Sequence, residues 1–419
     1  MIRSMFTAIS SLNLHQKYLD VVSNNLANAN TTGYKASRVM FQDQFAQMMS
    51  PGSAPTATLG GTNPTQIGLG VGMGFVSPNF TQGTLQSTGR NLDLGVEGDG
   101  FFVYGQDANR RYSREGSMGI DAEGFLVNVS SGLRTQGWLA DAAGAVDPNA
   151  PVEDIQIDTS RSLARATANV YLGGNLNATT DGAGTANVTM GVYDSLGTLQ
   201  QASVRFTRGG VAGAPTNVWT WQMMDTSVTP AVAGTGTGTI TFDANGQIDA
   251  ANPPTVGTAA TVPGSAGSNT PIPVTIDFAK LTQLTAATSA TVTSQDGLAA
   301  GSVTDVYISP NNGGVSLVYS NGLSEQIGQV ALARFTNPSG LIQSTGTTYI
   351  TGLNSGEAEI GAAASGGRGT IASSHLEASN VDMAQEFTNM ILAQRGFQAS
   401  SRVITTSDEI LQELVNLKR

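Results

Sequence analysis

Residues Ser379 to Arg419 read SNVDMAQEFTNMILAQRGFQASSRVITTSDEILQELVNLKR. Met383, Met390, Phe397, Ile404 and Leu411 recur every seven residues, a helical seam held over four heptads, with Leu414 beside it. Ser379, three residues before Asp382, offers a capping-box-like start. Lys418 and Arg419 suit the negative C-terminal end of a helix dipole. Asn380 to Leu417 would span roughly 57 Å as one unbroken helix. At the other end of the chain Met5, Leu12, Leu19 and Leu26 keep the same step, with Ile2 and Ile9 completing the seam. The spacing therefore predicts two terminal helices that pair.

A companion seam in the C-terminal helix reads Phe387, Gln394, Ser401, Asp408 and Val415, polar at its three central positions. A lone two-stranded coiled coil built on it would be weak. Helices that bury several faces partially against several neighbours tolerate it better. The free ends are accordingly expected to order only on polymerisation.

Between the helices the pattern changes. After the N-terminal helix, expected over residues 1–28, comes Asn24-Asn25-Leu26-Ala27-Asn28-Ala29-Asn30-Thr31-Thr32-Gly33-Tyr34. Asn side chains compete for backbone hydrogen bonds and end helices in turns. Residues 35–90 give the weakest signal: a short helical patch at Phe41, Phe45, Met48 and Met49, then a Gly/Pro/Thr-rich connector. From Asn91 short strands alternate with turns, one of them at Asp121 to Gly124 and others at Asn312-Gly313 and Asn321-Gly322. Residues 166–304 carry ten charged side chains among 139, and strand-like runs such as Ala202–Thr207, Val218–Met223 and Ile272–Phe278 point to a sandwich or barrel.

The expected fold is multidomain α+β, with paired N- and C-terminal helices carrying nested, mainly antiparallel β domains. Its divisions are a terminal helical domain (1–30 with 376–419), an extended connector (31–90 with 361–375), a first β domain (91–165 with 305–360) and an inserted outer β domain (166–304).

Composition narrows the function. Only 12 % of the 419 residues are charged, about half the usual share, and Gly contributes 51. Weakly charged, amide- and hydroxyl-rich surfaces suit chains that pack against copies of themselves. A net charge of −11 without a Lys/Arg cluster argues against nucleic-acid binding. Cysteine is absent, which excludes disulfides and thiolate chemistry. No apolar run approaches a membrane span, and Leu14-His15-Gln16-Lys17 interrupts any signal-peptide core. His15 and His375, the two histidines, stand in no metal-ligand spacing. Gly68 to Gly74 fits neither the dinucleotide nor the phosphate-loop pattern. No catalytic, cofactor-binding or metal-binding residue can be nominated, and an enzyme is not expected.

The stretch Leu12 to Lys35 resembles the N-terminal signature of the bacterial flagellar rod and hook family of axial proteins almost throughout. Leu376-Glu377-Ala378-Ser379-Asn380-Val381-Asp382 and the helix after it resemble the family's other hallmark. The motif residues matched are Asn24, Asn25, Asn28, Asn30, Thr32, Gly33, Tyr34, Asn380 and Asp382. Val192 to Leu199 is similar to the opening of the outer domain in the hook branch, whereas Arg205 to Thr304 matches no motif residue by residue.

The resemblance implies a structural hook subunit, exported without signal cleavage through the flagellar type III apparatus into an extracellular, curved, flexible helical homopolymer. Its implied partners are its own copies, the distal rod protein, the hook cap and the hook–filament junction proteins, with no nucleic acid, no membrane insertion and no cofactor. A distal rod subunit, or a secreted β-rich adhesin whose helices merely dimerise, are the rival readings.

Overall fold

The computed structural model describes residues 2–56, 58–226 and 232–416. Two long helices bracket the chain, α1 (Ile2–Ala27) and α2 (Met383–Asn416), and strands occupy most of what lies between. At 1.5 Å per residue they run about 39 Å and 51 Å. The expected ends at Leu417, Lys418 and Arg419 lie outside the described residues, as do the side chains of Ile2 and Leu414.

The start of α2 differs from the sequence expectation. Asp382 caps it, its Oδ1 accepting from the backbone N–H of Ala384 (2.9 Å) and Gln385 (3.1 Å). Ser379 sits one turn too early, and its hydroxyl oxygen accepts instead from the N–H of Val381 at 3.3 Å.

The chain divides into two compact units: residues 1–157, 306–316 and 326–419 form one, 158–305 and 317–325 the other. In the first, the expected helical patch at Phe41, Phe45, Met48 and Met49 is strand instead. Ser37–Asp43 pairs antiparallel with Val71–Pro78, and Ala46–Ser50 with Thr65–Gly68. Phe41, Phe45, Met48 and Met49 are all exposed. A helix of that length with no core to pack on is marginal in water, whereas the hairpin satisfies its backbone across the strands.

Beyond this arm, Phe101–Tyr104 lies between Arg111–Ser113 and the strand ending at Arg334, while Gln136–Leu139 and Glu359–Ala362 pair with that same last strand. Phe101, Tyr112, Phe335 and Tyr349 fill the core beneath with edge-to-face contacts, Tyr112 to Phe335 at 4.8 Å between ring centres.

The second unit is a sandwich. A five-stranded antiparallel meander (Thr185–Tyr193, Leu199–Val211, Ala214–Asp225, Val232–Thr241, Thr255–Thr258) shares one core with a four-stranded sheet. In the latter, Asn169–Asn177 runs parallel to Ile272–Leu284. Trp219, Trp221, Phe206 and Phe278 meet at the centre, buried.

Among the described residues one turn recurs four times, twice in each unit. Asp121, Asp141, Asp194 and Asp243 each accept through Oδ1 from the N–H groups two and four residues on. Three residues after each Asp stands a Gly (124, 144, 197 and 246) with φ between +75° and +85°, the left-handed conformation a bulged hairpin turn requires. The turn expected at Asp121 to Gly124 is one of these. Gly313 (φ +70°) and Gly322 (φ +82°) likewise turn the chain where Asn312-Gly313 and Asn321-Gly322 forecast it.

Candidate assembly site at the root of the terminal helices

α1 and α2 pack along each other with the heptad period, on a register that the hydrophobic pattern does not pick out. Ala8 and Val22 are buried on α1, and Ala393, Ser400 and Ser407 on α2. Each lies three residues after a member of the expected seam; Leu14, also buried on α1, does not. Small residues bring the backbones close: the Ser11 and Ser400 hydroxyls share a 2.9 Å hydrogen bond, and a Cβ on Gly396 would stand 2.5 Å from the His15 ring. α1 also packs on the hairpin arm, where His15, which reaches Gly396 as well, and Tyr18 meet Phe41 edge-on.

The expected seam side chains are divided between two environments. Met5, Leu12, Leu19, Leu26, Met390, Phe397, Ile404 and Leu411 are half-buried, whereas Ile9, Met383 and Phe387 are exposed. Further large apolar side chains face outward on both helices, among them Phe6 (64 % exposed), Leu392 (65 %), Ile391 and Val415.

Below α1 the Asn-rich motif ties a knot. Asn25, buried, donates from Nδ2 to the carbonyl of Ser37 and accepts at Oδ1 from the Ser37 N–H, both at 2.9 Å. The Tyr34 hydroxyl donates to the same Oδ1 at 3.1 Å, and burial, then the charge of Glu386, raises the Tyr34 phenol above its usual range. Asn28 returns to Asn24 and holds Thr31. Asn380, from the other end of the chain, donates to the carbonyls of Asn79 and Thr81 and accepts from the Ala36 N–H at 2.8 Å. Gly33 turns at φ +68°, and a Cβ there would lie 2.6 Å from the Glu115 nitrogen. Asn30 and Thr32 make no side-chain hydrogen bond in this network.

The centre of the knot is ionic. Lys35 Nζ stands 2.6 Å from Glu377 Oε1 and 2.8 Å from the Thr81 carbonyl. The same Oε1 accepts from the Gly83 N–H at 2.8 Å. Arg114 Nη1 lies 3.5 Å from Glu377 Oε2. All three side chains are at most 3 % exposed. Burial pulls the Lys35 ammonium below its ordinary value, and Glu377 opposes that pull. Residues 35 and 377 are thereby locked together although nearly the whole chain separates them.

Lys35, Glu377 and Arg114 are absent from the sequence-level candidates, as are Ser11, Gly396 and Ser400. A signal existed: Lys35 is the one cation between Lys17 and Arg38, set in an otherwise uncharged turn motif. Among the described residues no group of His, Asp or Glu is arranged to hold a metal ion, and no helix is long and apolar enough to cross a membrane. His375 Nδ1 lies 2.7 Å from the Ser373 carbonyl, a structural contact.

Comparison with known proteins agrees with this anatomy. Residues 5–35 match the flagella basal body rod protein family, 372–417 the C-terminal family of the flagellar basal body rod FlgEFG proteins, and 158–298 the flagellar basal body protein FlaE D2 domain. The chain is 36 % identical to the flagellar hook protein FlgE of Borreliella burgdorferi, with all of both chains covered. It is 34 % identical to that of Treponema pallidum, again over both full lengths. Similarity to the flagellar basal-body rod protein FlgG of Bacillus subtilis also spans both chains, at 29 %. The chain belongs to the flagellar hook protein family, whose members are structural subunits of the hook rather than enzymes.

Proposed function

We propose that copies of this chain assemble, outside the cell, into a curved and flexible tube that carries torque from rod to filament. The observation that supports this is the state of the paired helices: joined to each other by small residues, they leave Phe6, Ile391, Leu392 and Val415 exposed. Surrounding copies would bury these side chains, as neighbours in a tube wall do. The seam residues Met5, Leu12, Leu19, Leu26, Met390, Phe397, Ile404 and Leu411, already half-buried, would complete their burial in the same contacts.

In this reading the subunit is exported through the flagellar type III apparatus and grows beneath the hook cap. It meets the distal rod protein at one end and the hook–filament junction proteins at the other. The chain would work in four parts: helical root, connector arm, first β domain and outer β domain, with boundaries near residues 30, 90, 165, 305, 360 and 375. Electron microscopy of the assembled protein tests the proposal. Curved tubes are expected, and removal of residues 2–27 or 383–416 should abolish them. Straight fibres, or normal tubes from either truncated chain, would overturn it.

A further inference from the structure

Behind the ionic knot the first unit contains a cavity of about 170 Å³ lined by Phe80, Asp99, Phe101, Arg114, Arg334 and Phe335. Arg114 is 2 % exposed, and its Nε and Nη1 have no hydrogen-bond acceptor. Its guanidinium lies 5.2 Å from the Phe101 ring centre, and its contact with Glu377 at 3.5 Å is too long to be a good hydrogen bond. Charge is unbalanced here as well: three cations, Lys35, Arg114 and Arg334, stand against two carboxylates, buried Glu377 and exposed Asp99, both of which act on Arg114. A buried charge excess of this kind calls for a counter-charge. At the mouth stands Arg334, half-buried, and Asp99, exposed. The lining therefore carries two guanidinium groups and one carboxylate.

We propose that this cavity is a binding site for one small carboxylate, held between Arg114 and Arg334, which arrives either as a free acid or as an acidic side chain of a second copy. The planar fork of an arginine matches a carboxylate. A monoanion balances the lining, whereas a phosphate, nearer −2 at neutral pH, would be repelled by Asp99 and by Glu377 behind Arg114. The aromatic walls give the site a low dielectric, which strengthens the pairing.

The test titrates acetate, at fixed ionic strength against chloride, into dilute monomer of the full chain. The readout is hydrogen exchange in peptides covering 99–114 and 326–336. Saturable protection is expected. Arg334→Gln should weaken it roughly tenfold to a hundredfold, the range for a charge-assisted hydrogen bond. Asp99→Asn should tighten it several-fold, a gain that damage to folding cannot imitate. Phosphate should protect less than acetate.

The source of the carboxylate is read from assembly. If a neighbour supplies it, saturating acetate slows wild-type polymerisation and Arg334→Gln polymerises slowly without acetate. If a free acid fills the site, acetate leaves the elongation rate unchanged or raises it. Absence of saturable protection, or protection that survives Arg334→Gln undiminished, overturns the proposal. The monomer titration is independent of the tube, so its failure is distinct from failure of the assembly reading.

Discussion

Replacing Glu377 by Gln should do more damage than replacing its partner Lys35 by Met, because of the charge count. The cluster holds two cations and one anion, all buried. Glu377→Gln leaves Lys35 and Arg114 together with no buried counter-ion, only the exposed Asp99 acting on Arg114, and breaking a buried pair from one side costs about 3–5 kcal/mol. Lys35→Met removes the excess cation and leaves Arg114 opposite Glu377, a neutral pair. What is lost then is the charge-assisted bond to Glu377, about 1.5–3 kcal/mol, while the Thr81 carbonyl keeps its bond from Asn380 Nδ2.

Hydrogen exchange is the suitable assay, since two compact units make one global unfolding midpoint ill-defined. Peptides spanning 34–37 and 375–378 should exchange on the order of 10²- to 10⁴-fold faster in Glu377→Gln, and by a smaller factor in Lys35→Met. Equal losses in the two variants, or a larger loss in Lys35→Met, would refute the reasoning that net buried charge governs the knot.

Gly33→Ala should destabilise the same unit by about 2 kcal/mol or more, from left-handed strain and from contact with the Glu115 nitrogen; chemical denaturation of that unit, followed by exchange, measures it. Ser400→Leu should wedge the helices apart at about 1–3 kcal/mol, seen as faster exchange across α1 in the assembled protein with the β cores unchanged. Substituting Phe6 and Leu392 together by Ser should leave monomer stability within about 0.5 kcal/mol while raising the concentration needed for polymerisation, measured by sedimentation.

In the second unit, burial would raise the Asp194 carboxyl, but donation from Ser265, Thr198 and Leu196 outweighs it and brings the value down to about 2. With its folded value below its unfolded one, the group contributes stability above about pH 4 that is lost as pH falls toward 2, on the order of 2 kcal/mol. Asp194→Asn should flatten that acid limb in exchange measured over 185–211.

The periods in the sequence were readable, and so were the turns. Both helices stand where the seven-residue step placed them, and Asp121 to Gly124, Asn312-Gly313 and Asn321-Gly322 all turn the chain. The register between the helices was not readable from hydropathy. Hydropathy favours Met5, Leu12 and Phe397, yet close packing selects Ala8, Ala393 and Ser400, which are small enough to admit a neighbouring backbone. Apart from buried Leu14 and Val22, the large apolar residues of the helices were left for other surfaces. The helical patch expected at Phe41, Phe45, Met48 and Met49 is strand because only Val39 and Phe41 of that segment pack within the chain, while Phe45, Met48 and Met49 stay exposed and set no helical period. The parallel pairing of Asn169–Asn177 with Ile272–Leu284 joins segments about a hundred residues apart in a Gly/Ala/Thr-rich region with little to distinguish one strand from the next. The ionic knot escaped because its members are single charges whose meaning depends on meeting one another.

The four Asp–Gly turns close within five residues, using side-chain and backbone groups already adjacent in the chain. Joining Lys35 to Glu377 means closing a loop of 342 residues, an entropic demand about 4 kcal/mol greater by the logarithm of loop length. Hairpins therefore form early and the knot late. A chain that emerges as an extended thread would raise its β sandwich on its own, and its two ends would find each other last, when their final surroundings are already at hand.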